Sequence, residues 1–397
     1  MHPTADTLLV IYGNGSGRRV MPGVRLLSHI LEISMKRVPL VFLPLIFLAS
    51  AQSAWQTSAQ SADETKRQET ATIVYSQNPE ANELFLKARE YYNKSNPRTG
   101  GTLANAREAI KLYEAAVKRD PKFALAYVGL SRAWMRLGYS VPGGMTNKEL
   151  LPHAKSAALK ALKLDKNLLD AHLVLAGIYF NIEFDWEKAE REYKVAVQLA
   201  PNDAAVHSGY ATYLASMGRF DEAIVEAKKA GDLSQAPATD FALSRIYYRM
   251  GRYDEALEYN RRSLKKEESA ISHFGLGFVY VAQHKYEEAI AEFKSAVAVD
   301  NNGGGLAALA YVYAMHGKRD EALRMLNEIT TNPAKLVPYR IAAVYLALGD
   351  KDRAIEWLKK DYEGRDNWMT WLKVDPVMDP LRSDPRFVKL MRRMKFR

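Results

Sequence analysis

A short acidic-alanine signature returns six times along the middle of this chain: Glu187-Lys188-Ala189, Asp221-Glu222-Ala223, Asp254-Glu255-Ala256, Glu287-Glu288-Ala289, Asp320-Glu321-Ala322 and Asp352-Arg353-Ala354. The alanines stand 34, 33, 33, 33 and 32 residues apart. A fixed period of this size means stacked copies of one supersecondary unit. Such an array has no single deep core cleft, but it presents a long concave surface suited to gripping another chain. The period therefore argues for a binding protein rather than an enzyme.

One copy, Ala204 to Leu233, shows the physics of the unit. Val206, Tyr210, Ala211, Tyr213 and Leu214 recur at helical spacing. Gly218 is placed to end that helix, because glycine tolerates the left-handed conformation after a helix C-terminus. Asp221 and Glu222 then fall in the first turn of a second helix, where negative charge suits the helix dipole. Ala223, Ala227 and Ala230 share one face, and small side chains there let two helices approach closely. Two helices alone bury too little surface to be stable, so neighbouring copies must stack. The fold class is all-α.

The pattern aromatic-x2-Leu-small-x2-Tyr, then Gly, then Ala-x3-aromatic-x2-Ala, then Pro resembles the tetratricopeptide repeat. Its best copy is Phe274, Leu276, Gly277, Tyr280, Ala289, Phe293 and Ala296; another has Tyr179, Ala189, Tyr193, Ala196 and Pro201. Leu309, Ala310, Tyr313, Gly317 and Ala322 form a third. The first two copies are irregular, with extra loops at 97–105 and 140–148. The resemblance covers roughly 285 residues and implies a right-handed α-solenoid of about eight helix-turn-helix repeats over residues 81–366. It is specific for fold and says nothing specific about ligand.

The N-terminal region reads as an address. Met35-Lys36-Arg37 is a short basic segment, Val38 to Leu48 is apolar apart from its prolines, and Ala49-Ser50-Ala51 offers the small residues a signal peptidase reads. Residues 35–51 are thus expected to be a secretory signal peptide, cleaved after Ala51, which puts the mature chain in the periplasm or outside the cell. The alternative is an uncleaved anchor. The apolar run is shorter than the ~20 residues of a membrane-spanning helix, so no integral span is expected after cleavage. Residues 1–34 sit awkwardly before a signal and read either as a mis-assigned start, with Met35 the initiator, or as a long basic region. Residues 52–80, rich in Gln, Ser, Thr and Ala, read as a flexible linker.

Composition excludes several functions. Without cysteine there is no disulfide, thiol catalysis or lipid-modified cysteine. Of the net charge of +10, five cations against Asp6 and Glu32 fall in residues 1–51. The remaining bias is too dilute for the basic stripe of a nucleic-acid binder. The eight histidines form no HExxH and no metal-like pair. His172, His207 and His273 occupy the aromatic position early in a repeat's first helix, where packing explains them better than a ligand column. No catalytic residue, cofactor site or metal site is expected.

Residues 367–397 carry a second resemblance. Asn367-Trp368-Met369-Thr370-Trp371 leads into Asp375-Pro376, Asp379-Pro380 and Asp384-Pro385. This ending is similar to the one that closes tetratricopeptide regions of many bacterial multidomain signalling proteins, and implies an exported stand-alone relative. Asp before Pro starts a helix, since the carboxylate caps free N–H groups and proline fits the first helical position. Phe387, Leu390, Met391 and Met394 share one face, expected to pack on the last repeat as a cap, while Lys389, Arg392, Arg393 and Lys395 stay in water.

By the same resemblance, the first helix of each repeat lines the concave side. Inward positions then include Arg132 and Arg136 in repeat two, and Phe241, Arg245, Tyr248 and Arg249 in repeat five. Phe274 and Phe278 follow in repeat six, Tyr311 in repeat seven and Tyr339 in repeat eight. An aromatic wall beside paired arginines suits a protein or extended peptide with large apolar side chains and a carboxylate. With both arginines solvated, their removal is expected to leave the melting temperature nearly unchanged. The functional expectation is a non-catalytic scaffold or adaptor of the bacterial envelope; the alternative is an obligate non-catalytic subunit of an envelope enzyme or assembly complex.

Overall fold

The computed structural model describes residues 75–96, 101–138, 145–299, 303–332 and 336–396. The expected N-terminal extension, signal peptide, most of the linker and the centres of the two extra loops lie outside these residues. Among the described residues there are seventeen α-helices and no strand. The first sixteen form eight successive pairs, one per repeat. Repeat one pairs α1 (Pro79–Lys94) with α2 (Leu103–Arg119), repeat two α3 (Ala124–Arg136) with α4 (Asn147–Leu164), and repeat three α5 (Leu169–Ile178) with α6 (Trp186–Leu199). Repeat four pairs α7 (Ala204–Ser216) with α8 (Phe220–Leu233), and repeat five α9 (Pro237–Arg249) with α10 (Tyr253–Lys266). Repeats six to eight pair α11 (Ala270–Ala282) with α12 (Tyr286–Val299), α13 (Gly303–Met315) with α14 (Arg319–Thr331), and α15 (Pro338–Ala347) with α16 (Lys351–Gly364).

In repeats three to eight the turn inside the pair is set by one left-handed residue. Gly218, Gly251, Gly317 and Gly349 have φ between 74° and 83°, and Phe184 and His284 take the same region at 53° and 59°. Each lies five residues before a signature alanine, so the period of the alanines is also the period of the turns. All six alanines are fully buried. The close approach is plainest in repeat six, where a Cβ on Gly277 would stand 2.4 Å from the Phe293 ring. Ala289, on the same buried face as Phe293, has no room to grow. Ala289→Phe is expected to cost about 1–3 kcal/mol by overpacking. Hydrogen exchange should rise in repeats five and seven before the rest, because repeats feel their neighbours first. Damage confined to α12 would contradict the stacking.

The array starts slightly before residue 81. Asn78 accepts from the Ala81 N–H at 3.0 Å and Pro79 takes the first helical position. Tyr75 packs on Phe85 with ring centroids 5.1 Å apart, and Ser76 donates to Asp120 at 2.6 Å. The end of the expected linker is therefore folded, its polar residues serving as caps.

In repeat three, α5 runs into a π-helical turn at Tyr179–Glu183 that the sequence pattern does not announce. Such a turn inserts a residue and leaves backbone carbonyls short of partners. One of them, Ile182 O, accepts from Arg365 Nη1 at 3.0 Å, and Asn147 Nδ2 donates to Arg365 O at 2.8 Å. The end of repeat eight thus touches repeats two and three.

Beyond Arg365 the chain forms two 3₁₀ turns, Asn367–Trp371 and Pro376–Leu381, and the short helix α17 (Pro385–Arg393). Asp375 and Asp384 cap as expected, accepting from Val377 N at 3.1 Å and Arg386 N at 2.9 Å. Phe387, Leu390 and Met394 are buried and the four basic residues exposed. The segment meets the last repeat, as expected, where Arg386 pairs with Asp352 at 2.7 Å and Arg393 lies 4.7 Å from the Tyr362 ring centroid. The segment also crosses to repeats three and four: Trp186 Nε1 donates to Met394 O at 2.7 Å, Phe396 stacks on Trp186 at 4.6 Å, and Val374 passes beside Gly218.

Candidate ligand groove

The first helices of repeats five, six and eight turn Phe241, Arg245, Tyr248, Arg249, Phe274, Phe278 and Tyr339 onto one concave cavity. Tyr311 stands just behind it, its ring 6.1 Å from that of Phe278. The remaining two expected residues do not join them. Arg132 pairs with Asp170 at 2.8 Å, and Arg136 is buried over the Tyr92 ring at 4.7 Å. Both belong to the packing of repeats one to three.

The groove is not open. Trp371 lies with Arg245 and Arg249 over its ring, 4.4 and 4.0 Å from the centroid, and is 2% exposed. Trp368 stacks on Tyr339 at 6.0 Å and lies 4.9 Å from the Arg340 guanidinium. The Tyr339 hydroxyl donates to Asp375 Oδ2 at 2.9 Å. The arginines are therefore half-buried against the indole rather than freely solvated, so removing them is expected to lower the melting temperature, contrary to the sequence expectation. Each indole face is an electron-rich surface that partly offsets a desolvated guanidinium.

Two residues of the cavity escaped the sequence reading. Arg340, 8% exposed, lies 4.6 Å from the Phe274 ring centroid and donates through Nη1 to Gly304 O at 3.0 Å. Its Nε has no partner. Asn260 on α10 is fully buried and neither atom of its amide has one. The corresponding residues of other repeats are Tyr193, Ala227, Phe293, Leu326 and Leu358, so a polar group here breaks the pattern. Burial pushes the Arg340 guanidinium down to about 10, with Asp375 acting against it. Burial also holds Arg245 well below its ordinary value; repulsion from Arg249 adds to this and Asp375 opposes it. Asp375 is thus the carboxylate that acts on both Arg245 and Arg340.

Comparisons with known proteins accord with this architecture. Family models described as tetratricopeptide repeat match residues 102–138 and 339–360, and one described as anaphase-promoting complex, cyclosome, subunit 3 matches residues 216–296. The chain is a tetratricopeptide-repeat protein. Human IFIT1, solved as a dimer with m7Gppp-AAAA, has 17% sequence identity and a TM-score of 0.51, over 86% of this chain and 79% of its own. Yeast Tom70 has 14% identity and a TM-score of 0.50, over 82% and 70%. Both likenesses concern the fold alone. An uncharacterised protein of Haemophilus influenzae is 39% identical over 64 residues, which is 16% of this chain and 35% of the relative's length.

This tetratricopeptide-repeat protein uses histidine inside its repeats as a cross-helix tie. His172, His207 and His273 each bring Nδ1 to a glutamate on the second helix of the same repeat: Glu192 at 2.6 Å, Glu226, and Glu292 at 2.7 Å. Nε2 of His172 faces Lys166 O at 2.9 Å, and that of His207 faces Pro201 O at 2.9 Å. This is the packing role expected from the sequence, with a polar tie added. Among the described residues no group of three or more His, Asp or Glu is placed to hold a metal ion, and no helix is long and apolar enough to cross a membrane.

The hydrogen bond that His172 donates to Glu192 raises its pKa above its ordinary value, against burial and with help from Lys166 O. A raised folded pKa stabilises fully below the unfolded pKa, and this is lost as pH climbs through the folded value. His172→Gln is thus expected to cost about 1–2 kcal/mol at pH 5.5, on the scale of a charged hydrogen bond, and distinctly less at pH 9. Denaturant melts at the two pH values check this, and an equal cost at both would contradict it.

Proposed function

We propose that this protein is a non-catalytic adaptor, exported to the bacterial envelope, that grips an extended peptide segment of a partner protein. The groove of repeats five to eight supplies the grip. The observation that carries this reading is the stretch the groove already holds: Trp368, Trp371 and Asp375 set against Tyr339, Arg245, Arg249 and Arg340. A partner segment with large aromatic side chains and a carboxylate offers the same contacts and would take the place of residues 367–377. Aromatic and arginine groups are also those that dominate binding hot spots. Export rests on Lys36-Arg37, the apolar run after it and Ala49-Ser50-Ala51.

Affinity capture from the native envelope fraction, followed by mass spectrometry, is the test. The captured partner should be released by excess synthetic peptide of the sequence Asn367 to Val377. Arg245→Ala combined with Arg249→Ala should weaken capture by about 2 kcal/mol or more. Release by neither would move the partner's site off this groove, and co-purification in fixed stoichiometry would favour a permanent subunit. N-terminal sequencing of the mature protein should begin near Gln52; a cytosolic chain with Met1 or Met35 intact would remove the envelope from the reading.

A further inference from the structure

The C-terminal segment does not fill the groove it crosses. Beneath Trp368 and Asp375 a cavity remains, with about 110 Å³ open to water-sized centres. A single water needs only about 10–15 Å³ on that measure, so the space admits a molecule with one ring. Its walls combine two kinds of surface. One is apolar and aromatic, from Phe241, Phe274 and Phe278. The other is polar and cationic, from Arg249, Arg340 and Asn260.

The polar side is incompletely satisfied. Among the described residues neither Arg249 nor Arg340 has a carboxylate within ion-pair distance. The Nε atoms of both and the whole amide of Asn260 are buried without a hydrogen-bond partner. Buried polar groups are ordinarily paired, and those left over call for an unseen occupant. A buried guanidinium without an anion is the costliest of them. Asn260 stands where other repeats bury Tyr193, Phe293, Leu326 or Leu358, so the stacking of helices does not require an amide there.

We propose that this cavity binds a small organic carboxylate with a compact apolar or aromatic body, its charge held by Arg340 and Arg249 and its second oxygen by the Asn260 amide. This goes beyond the capture of a partner peptide and does not depend on it, because the site is complete with residues 367–377 in place. Arginine is the side chain suited to a carboxylate, through paired N–H donors. The phenylalanines would cover the apolar body, and Trp368 would close over it.

Calorimetric titration and thermal shift of the full chain with phenylacetate, phenylacetamide and inorganic phosphate test the site. Phenylacetate is expected to bind and raise the melting temperature at millimolar concentration. Arg340→Gln should weaken it about tenfold or more, the scale of one lost charge-assisted hydrogen bond. Ala343 also lines the cavity, and Ala343→Leu should fill it and abolish binding while leaving the helical circular dichroism unchanged. That second variant keeps the test valid if Arg340→Gln folds poorly. No binding of phenylacetate to the wild-type chain would overturn the proposal. Equal binding of the neutral amide would overturn the anionic character, and phosphate binding as tightly as phenylacetate would overturn the apolar half.

Discussion

A chain ending at Asp366 is expected to lose a melting temperature interval of roughly 10 °C or more and to begin binding an apolar dye. Met369, Trp371, Leu372, Met378, Leu381, Phe387, Leu390 and Met394 are each at most 3% exposed, and all leave with the segment. A fully buried side chain of this kind contributes about 1.5–3 kcal/mol of gross burial. The entropy of ordering the segment offsets much of that sum. A net loss of about 4 kcal/mol is enough for the shift, at roughly 2–4 °C per kcal/mol in a unit of this size. The dye follows from the other side of the contact. Phe241, Phe274 and Tyr339 are each at most 9% exposed with the segment in place, and its removal uncovers a contiguous aromatic patch. Calorimetry and dye fluorescence on the two purified chains are the measurements. Matching melting temperatures with no dye signal would mean that the segment does not lie in the groove.

The second large effect belongs to one side chain. Trp371→Ala should cost about 3–5 kcal/mol, the range for truncating a buried tryptophan or phenylalanine. The void is lined by Arg245 and Arg249, which would lose the ring beside them. A guanidinium over an aromatic face gains up to ~2 kcal/mol when desolvated, so both ends of this contact suffer. Trp371→Phe keeps a ring, though a weaker one, and should recover about half of the loss. Urea melts of the two variants give the comparison. A loss below 1 kcal/mol in the alanine variant would contradict a buried indole at this place.

Much of this was legible in residues whose meaning is local. The signature alanines, the glycines five residues ahead of them and the caps at Asp375 and Asp384 each act on chain within a few positions, and each does in the structure what its pattern implies; Asp379-Pro380, expected to start a helix, instead lies inside the second 3₁₀ turn. The groove aromatics were legible too, because a repeat carries its inward positions at a fixed register. What could not be read was which distant surface would cover them. Trp371 meets Arg245 across more than a hundred residues, and periodicity reports only that a side chain is apolar and faces inward. Phe184 in the left-handed region was hidden for another reason: a bulky residue seldom goes there, so nothing in its type announced the turn. Arg340 and Asn260 did leave a trace. Arg340 sits inside the otherwise apolar run Tyr339 to Leu348, and Asn260 stands where its counterparts are apolar. A polar residue that breaks a repeat's own pattern was the available signal, and it marked the cavity.

The meeting of Arg365 with Ile182, and of Met394 with Trp186, changes what kind of polymer the array is. Repeats that touch only their neighbours unravel from either end, one after another. Here repeats three to eight are fastened head to tail, so none of them has a free end from which to fray. Opening any one of them strains the fastening, and the six should come apart together in a single transition. Repeat one stays outside the fastened ring, whereas α4 of repeat two is tied to it by Asn147 on Arg365 and by Leu150, Ala154, Ala158 and Ala161, which pack in the ring's core. The buried apolar residues of repeat one and most of those of α3, from Ala81 through Phe85, Tyr113 and Phe123 to Leu137, form a core of their own. Under force or rising denaturant the molecule should therefore yield in two events, a short N-terminal arm first and the closed ring as one piece afterwards.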